Sequence, residues 1–143
     1  MKLFTIGFTK TSAEKFFSRL QQAGAKKIID VRLNNVSQLA GFAKKEDLAY
    51  FARSICGMGY QHIPTLAPTQ EMLDAYKKNG GDWDEYAKHF VDLMAQRRIE
   101  RISKDSLHEG CLLCSEDKPH HCHRRLVVEY LQDKWGDVEI HHL

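Results

Sequence analysis

The chain has 143 residues, 43% of them apolar and 28% charged, which suffices for one core and predicts a single domain over 1–143. No apolar run reaches the roughly 18 residues of a membrane span and no secretory signal is present, so we expect a cytoplasmic protein with reduced cysteines and no membrane partner. The formal net charge of +2 falls short of the basic surface typical of a dedicated DNA-binding protein.

Five short, largely apolar runs have the composition of buried strands. In chain order they span 3–7, 27–32, 60–64, 111–116 and 138–143. An amphipathic stretch follows the first run. Thr11 and Glu14 have the spacing of a helix-capping box, and Gly24 marks the end of that helix.

Amphipathic stretches also separate the later strands. They are a stripe over 48–55 that precedes Gly57, a short helix from Thr69 to Tyr76, a longer one from Asp82 through Met94, and a last helix over 120–134. Strands that alternate with helices indicate parallel pairing with helical crossovers. We therefore predict a three-layer α/β sandwich, Rossmann-like in the broad sense, whose mainly parallel sheet has about five strands and helices on both faces. Because no G-x-G-x-x-G occurs, we expect no dinucleotide and no bound cofactor.

Polar residues stand at or near the predicted strand ends, where open parallel sheets bind ligands. They are Gly7, Thr9, Asp30, Arg32, Tyr60, His62 and Glu116. The start of the last helix, 120–125, belongs to the same edge. We expect one site there, and we expect Asp30, Arg32, Glu116 and Arg124 to share one cleft.

The segment 111–125 concentrates three cysteines, three histidines and two arginines, and a metal site is one interpretation of it. Cys111 and Cys114 have C-x-x-C spacing, but residues three apart on a strand point to opposite faces and cannot share a metal. We expect Cys111 to be buried as a small hydrophobe. A mononuclear site from Cys114, Cys122 and one or two histidines can still be written, although we predict no native metal.

A reactive thiol is the second interpretation. Cys122 falls near the first turn of the last helix beside His123 and Arg124, and both the helix N-terminus and the cations favour a thiolate. The phosphatase loop, which needs an arginine six positions after its cysteine, is absent. A redox pair of Cys114 and Cys122 requires the two sulfurs to meet, and a packed, structural Cys122 fits the sequence equally well.

An anion-binding turn is the third interpretation, because a strand, a polar turn and a cationic helix start form a ready anion receptor. Arg124 lies along the predicted buried stripe of the last helix, whereas Arg125 lies about 100° away. We therefore expect Arg124 to face the site and Arg125 to face solvent. The alternative is that an arginine forms a structural ion pair with Asp30 or Glu116.

Several short motifs together resemble the DUF488 family. They are Thr5-Ile6-Gly7, Asp30-Val31-Arg32, Ser37, Cys114-Ser115-Glu116 and Cys122-His123-Arg124. Phe8 departs from the family pattern, in which His or Tyr usually follows T-I-G. The resemblance implies a small α/β fold in which these polar groups cluster, and it implies no particular reaction.

These residues favour an enzyme, a hydrolase or group transferase, that acts on a phosphate-bearing substrate such as a nucleotide or nucleic-acid fragment. Arg32 and Arg124 would hold the anion, with Gly7, Thr9, Tyr60 and His62 as further binding residues. Asp30 or Glu116 would serve as general acid or base, His123 would carry protons and Cys122 is the candidate nucleophile. The alternative is a non-catalytic module that responds to thiol oxidation or to metal.

Overall fold

The computed structural model describes residues 1–35, 41–78, 80–116 and 118–143, and five strands lie within them. The strands are β1 (Lys2–Gly7), β2 (Lys27–Asp30), β3 (Gly59–His62), β4 (Gly110–Cys114) and β5 (Glu139–His142). The helices are α1 (Ala13–Ala23), α2 (Lys45–Phe51), α3 (Gln70–Leu73), α4 (Trp83–Arg97), α5 (Lys104–Leu107) and α6 (His123–Trp135). Wider π-helical turns extend α2 over Ala52–Cys56 and α3 over Asp74–Lys78.

The strands form one sheet in the order β3-β2-β4-β1-β5, and every neighbouring pair is parallel. The central strand β4 is buried along its whole length, as its apolar sequence GCLLC requires in a sheet that is covered on both faces. At the carboxyl edge Gly7 is paired with Cys114, and Asp30 is paired with both Leu113 and His62. The ends of four strands therefore meet at one edge.

The two faces of the sheet carry separate cores. Phe16, Phe17 and Leu20 from α1 pack with Leu48 from α2 on one face, which we call the apolar face. On the opposite face, which we call the α4–α6 face, Tyr86, Phe90 and Met94 from α4 pack with Leu126, Val127, Val128, Tyr130 and Leu131 from α6. Full burial of one such side chain contributes roughly 1.5–3 kcal/mol relative to exposure. The predicted three-layer α/β fold is confirmed.

Helix starts follow the capping signals with one exception. The side chains of Thr69 and Asp82 accept hydrogen bonds from the amides of Met72 and Glu85, as their sequence spacing predicts. The first helix instead starts after Ser12, whose hydroxyl accepts from the Lys15 amide at 3.2 Å. The prediction of Thr11 as this cap is therefore wrong by one residue.

Three predicted boundaries move at the carboxyl edge. The second strand ends at Asp30 and not at Arg32, the fourth ends at Cys114 and not at Glu116, and α6 begins at His123 and not at 120. Arg32 and Glu116 consequently lie on connecting segments beyond the ends of the strands. Among the residues that the structure describes, no helix is long and apolar enough to cross a membrane.

Candidate functional site

A cavity of about 240 Å³ lies at the carboxyl edge of the sheet. The segment after β2, the turn that extends α3, the end of β4 and the start of α6 all contribute to its wall. The ionisable side chains that line it are those of Arg32, Lys77, Cys114, Glu116, His121, Cys122 and His123. Arg32 and Glu116 thus share one cleft, whereas Asp30 and Arg124 are fully buried and are not among its lining residues.

Arg32 is a buried cation in the wall of this cavity. Its Nε and Nη2 donate to the two carboxylate oxygens of Asp30 at 2.9 and 2.8 Å, and Nη2 also donates to the Ala43 carbonyl. The guanidinium carbon lies 5.2 Å from the centre of the Phe8 ring. Nη1 is buried and has no hydrogen-bond partner among the described residues. The guanidinium is therefore fixed in place, and the hydrogen-bonding capacity of its Nη1 is not used by the described residues.

Asp30 holds Arg32 and does not face the cavity. Besides the guanidinium, its carboxylate accepts hydrogen bonds from the Arg32 amide at 3.1 Å and from the Tyr60 hydroxyl at 2.5 Å. The Asn35 amide group donates to the same hydroxyl at 3.2 Å. Burial, followed by the Asp30 carboxylate, raises the pKa of Tyr60. The structure therefore gives Asp30 and Tyr60 a positioning role behind Arg32.

Cys114 and His123 form a hydrogen-bonded thiol–imidazole pair in the cavity wall. The Cys114 Sγ lies 3.5 Å from the His123 Nδ1, and the His123 Nε2 lies 2.7 Å from the Val31 carbonyl oxygen. Because a carbonyl only accepts, Nε2 must carry the proton. Burial lowers the pKa of His123 and keeps its ring neutral, so Nδ1 accepts from Cys114. A base within reach of a nucleophile and oriented by a third group is the arrangement that activates thiols.

The pKa values of the two cysteines at this edge, Cys114 and Cys122, are shifted in opposite directions. A hydrogen bond from the Cys122 thiol lowers the pKa of Cys114, and the Arg124 charge and the amides of Ser115 and Glu116 act in the same direction against burial. Burial, together with the neighbouring Cys114, raises the pKa of Cys122. The prediction of a thiolate at Cys122 is therefore wrong, because its own thiol serves as a donor to Cys114.

Arg124 supports the loop that follows β4. It is fully buried, its Nη1 donates to the Glu116 carbonyl, and the same nitrogen lies 3.6 Å from the Cys122 Sγ. Arg125 forms an ion pair with Glu129 at 3.0 Å, and 27% of its side chain is exposed. The predicted inward Arg124 is confirmed, although it lies beneath the cavity wall. Arg125 is more exposed than Arg124 but does not simply face solvent, because its guanidinium carbon lies 6.0 Å from the centre of the Trp83 ring.

Gly7 and Thr9 contact the loop after β4, at Ser115 and Glu116, and hold it close to the end of β1. A Cβ on Gly7 would lie 1.5 Å from the Glu116 carbonyl oxygen, so only glycine permits this close approach. The Thr9 hydroxyl and the amides of Phe8 and Thr9 all donate to the Ser115 carbonyl. The donors of Thr9, which we expected to bind an anion, are therefore used within the protein.

Two other predicted residues lie at the margin of the site. The Glu116 side chain is 48% exposed, with an oxygen 3.8 Å from the Lys77 Nζ at the mouth of the cavity. The His62 Nε2 lies 2.7 Å from the Arg32 carbonyl oxygen and supports the backbone after β2. Ser37 lies outside the described residues.

Cys111, by contrast, is fully buried on the apolar face, away from Cys114. The prediction that this strand separates the two cysteines is confirmed.

Sequence reasoning missed the rings at the mouth of the cavity. His121 stacks on Trp83 with ring centres 4.9 Å apart, and His120 stacks on His121 at 4.5 Å. Tyr76 and Tyr86 line the cavity beside them. The sequence predicts only an amphipathic helix in this part of the chain. Its periodicity could place Trp83 and Tyr86 at the mouth of a cavity only if the path of α3 were known.

A larger cavity, about 360 Å³, lies between α3 and α4 and is lined by Glu71, Asp82 and Glu85 together with Tyr76 and Tyr86. None of the predicted site residues lines it. Its acidic wall does not suit an anion. The smaller cavity, which holds the cations and the thiols, is therefore the candidate site.

Comparison with known proteins identifies one family. A family model described as "Domain of unknown function DUF488" matches residues 12–131. Searches of curated proteins and of solved structures gave no match. The matched range includes β2, β4, the cavity residues and most of α6. The chain therefore belongs to the DUF488 family.

Proposed function

We propose that the protein is a thiol-dependent hydrolase or group transferase that acts on a phosphate-bearing substrate. One observation carries the proposal: the buried cation Arg32 and the Cys114–His123 pair line the same cavity of about 240 Å³. An anion held by Arg32 places its bearer beside a nucleophile and its base. Catalysis of this kind draws much of its rate from such positioning.

Anion binding rests on charges from two directions. Arg32 offers a buried Nη1 that has no hydrogen-bond partner among the described residues, and Lys77 lies at the mouth. The first turn of α6, which begins at His123, adds the positive end of a helix dipole. A charge-assisted hydrogen bond contributes roughly 1.5–3 kcal/mol, which corresponds to about a ten- to hundredfold change in affinity.

The reaction follows from the hydrogen bonds of Cys114. Its proton passes to the His123 Nδ1 as the sulfur attacks an electrophilic phosphorus or carbon of the substrate. A bond from sulfur to that atom forms, the bond to the leaving group breaks, and the leaving group takes the proton from His123. Water, or a second acceptor, then attacks the sulfur-linked intermediate, which releases the product and returns a proton to the Cys114–His123 pair.

The remaining residues hold this geometry. Val31 fixes the His123 ring through its carbonyl, and Asp30 fixes Arg32. Cys122 and the amides of Ser115 and Glu116 donate to the Cys114 sulfur, and these donors stabilise the charge that develops there. Glu116 is placed at the mouth, where a carboxyl can exchange protons with a leaving group or with water.

A nucleotide or a nucleic-acid fragment suits the entrance. The cavity is small for a whole nucleotide, since drug-sized ligands occupy roughly 300–1,000 Å³. A phosphate inside it would leave a base at the mouth, where His121 and His120 present stacked rings. Stacking of a base on such a ring contributes roughly 1–3 kcal/mol.

A titration with inorganic phosphate, sulfate and mononucleotides, followed by calorimetry, tests anion binding. We expect Arg32→Gln to weaken phosphate binding about ten- to a hundredfold. Arg19→Gln is the matched control, because Arg19 is exposed on α1, the helix that packs on the opposite face of the sheet, and it should retain binding. Equal losses from both variants would mean diffuse electrostatics, and a parent protein that binds none of these ligands would overturn the proposal.

The nucleophile is tested with a panel of phosphate esters and nucleotide substrates. Cys114→Ser should abolish any turnover found with the parent protein, and Cys56→Ser should leave it unchanged because Cys56 is not among the cavity residues. Mass spectrometry of a rapidly quenched reaction should locate the covalent adduct on Cys114. Full turnover by Cys114→Ser would overturn the assigned nucleophile.

A second candidate is a metal- or thiol-responsive module without catalysis. It is favoured by one specific observation, the convergence of Cys114, Cys122 and His123. This candidate predicts ligand-dependent protection of the thiols without turnover of any ester.

A further inference from the structure

We infer that Cys114, Cys122 and His123 form a binding site for a thiophilic divalent cation such as Zn²⁺, and that this cation blocks the Cys114–His123 pair. Metal binding itself stands on geometry alone. The blocking of catalysis rests on the proposed function.

The three donor atoms are already close together. The two sulfurs and one imidazole nitrogen all lie within 4.8 Å of one another, and all three residues are buried. Tetrahedral Zn²⁺ with bonds of about 2.3 Å to sulfur and 2.0–2.1 Å to nitrogen separates a sulfur ligand from a nitrogen ligand by about 3.5 Å. The Cys114 Sγ lies 3.5 Å from the His123 Nδ1. Small rotations of buried side chains therefore suffice to complete the set.

The surrounding hydrogen bonds orient the ligands. His123 donates its Nε2 proton to the Val31 carbonyl at 2.7 Å, which leaves the Nδ1 lone pair directed at Cys114. Metal-binding histidines commonly donate their second nitrogen to a carbonyl in this way, since it fixes the tautomer and the ring. The Arg124 Nη1, 3.6 Å from the Cys122 Sγ, can donate to that sulfur after it loses its proton. The site thus has its outer supports as well as its ligands.

Charge and access also suit a divalent cation. Each thiol that still carries its proton releases it to solvent on binding, and two thiolates balance the charge of the metal. Cys114, Cys122 and His123 all line the cavity, so a fourth position faces open space that water or a small ligand can fill. Three protein ligands with one open position are typical of accessible zinc sites. Soft sulfur donors favour Zn²⁺ over Mg²⁺ or Ca²⁺.

Occupancy would remove both partners of the proposed reaction. The metal takes the sulfur lone pair of Cys114 and the Nδ1 lone pair of His123, so neither the attack nor the proton transfer can occur. The enzyme would be active in its metal-free form and inhibited by Zn²⁺. Chelation would restore activity without any covalent change.

A Co²⁺ titration of the reduced, chelator-treated protein tests the site without reference to activity. We expect one Co²⁺ per chain, a near-ultraviolet band from sulfur-to-metal charge transfer, and a visible band of tetrahedral intensity that Zn²⁺ removes. Cys114→Ser and Cys122→Ser should each weaken binding by roughly a hundredfold or more, because second-sphere changes alone typically cost 10–100-fold. Cys56→Ser is the control and should bind like the parent.

Cysteine labelling decides the question should a variant fail to fold. In the parent protein, Zn²⁺ should slow the alkylation of Cys114 and Cys122, read by peptide mass spectrometry, and should leave Cys56 unaffected. The absence of a sulfur-to-metal band, or Co²⁺ binding that survives in both cysteine variants, would overturn the inference. Neither result would affect the separate tests of phosphate binding and of substrate turnover. Tight Co²⁺ binding by a protein that turns over no ester would support the site and overturn only the inhibition of catalysis.

Discussion

The two faces of the sheet use the same kind of residue for different purposes, and the cysteines of β4 show this most directly. Cys111 lies on the apolar face among Phe16, Leu20 and Ile28, and burial raises its pKa. Cys114, three residues later, lies on the α4–α6 face, where the Cys122 thiol and other donors lower its pKa. Both thiols are buried, so burial by itself does not decide the pKa of a thiol. The donors around a thiol decide it.

Among the glycines of the strands, Gly7 at the carboxyl edge has the closest backbone neighbour. At Gly7, a Cβ would overlap the Glu116 carbonyl, whereas at Gly59, at the start of β3, a Cβ would meet only Lys27 at 3.7 Å. At the amino edge, a Cβ on Gly110 would lie 2.8 Å from the Leu107 carbonyl oxygen, a close approach that is still looser than the one at Gly7. The carboxyl edge is compressed around the loop that carries Glu116.

Of the variants that compare the two edges of the sheet, Gly7→Ala should lose the most stability. We expect a loss of roughly 4–5 kcal/mol in the free energy of unfolding, because backbone must move to admit the methyl group. Urea denaturation measures it. The matched Gly59→Ala should cost under about 1 kcal/mol, since its space is open. Similar losses in both variants would contradict the compressed edge.

Asp30→Asn should have the next largest effect, roughly 3–5 kcal/mol of unfolding free energy, because it leaves the buried Arg32 guanidinium without its counter-charge. Thermal and urea denaturation measure it. Asp137→Asn is the matched control: Asp137 pairs with Lys104 at 3.5 Å on the surface, and its loss should be small. A stable Asp30→Asn variant with unchanged phosphate affinity would remove Asp30 from its positioning role.

Cys111→Ser should lower stability more than Cys114→Ser does, whereas Cys114→Ser should lose the proposed turnover and Cys111→Ser should not. A serine hydroxyl at 111 enters an apolar core without a partner and should cost about 1–3 kcal/mol, with little effect on phosphate binding. At 114 the amides of Ser115 and Glu116 can donate to the new oxygen, so the cost should be smaller. Denaturation and calorimetry on both variants measure this reversal, and a greater loss of stability at 114 would refute it.

Arg125→Gln should have the smallest effect. Its ion pair with Glu129 spans one turn of α6, and such pairs contribute about 0.3–0.5 kcal/mol. Denaturation should therefore detect almost nothing. A large loss would assign Arg125 a structural role that its ion pair and its 6.0 Å contact with the Trp83 ring do not indicate.

Local sequence patterns determined the class of the fold. The periodicity of α4 and the caps at Thr69 and Asp82 depend on neighbours within a few residues, so they can be predicted from the sequence alone. The rule that parallel strands bind ligands at their carboxyl ends then placed Arg32 and Glu116 at one edge. The inward Arg124 followed from the spacing of a single helix.

Only the tertiary structure decided the chemistry within that edge. The sheet order places β4 between β1 and β2, which brings the Val31 carbonyl to His123 across 92 positions of sequence. Without that contact, neither the tautomer of His123 nor its orientation toward Cys114 can be deduced. The sequence identified the cysteines and histidines, but a pKa depends on donors and charges in three dimensions, and these made Cys114 and not Cys122 the more acidic thiol.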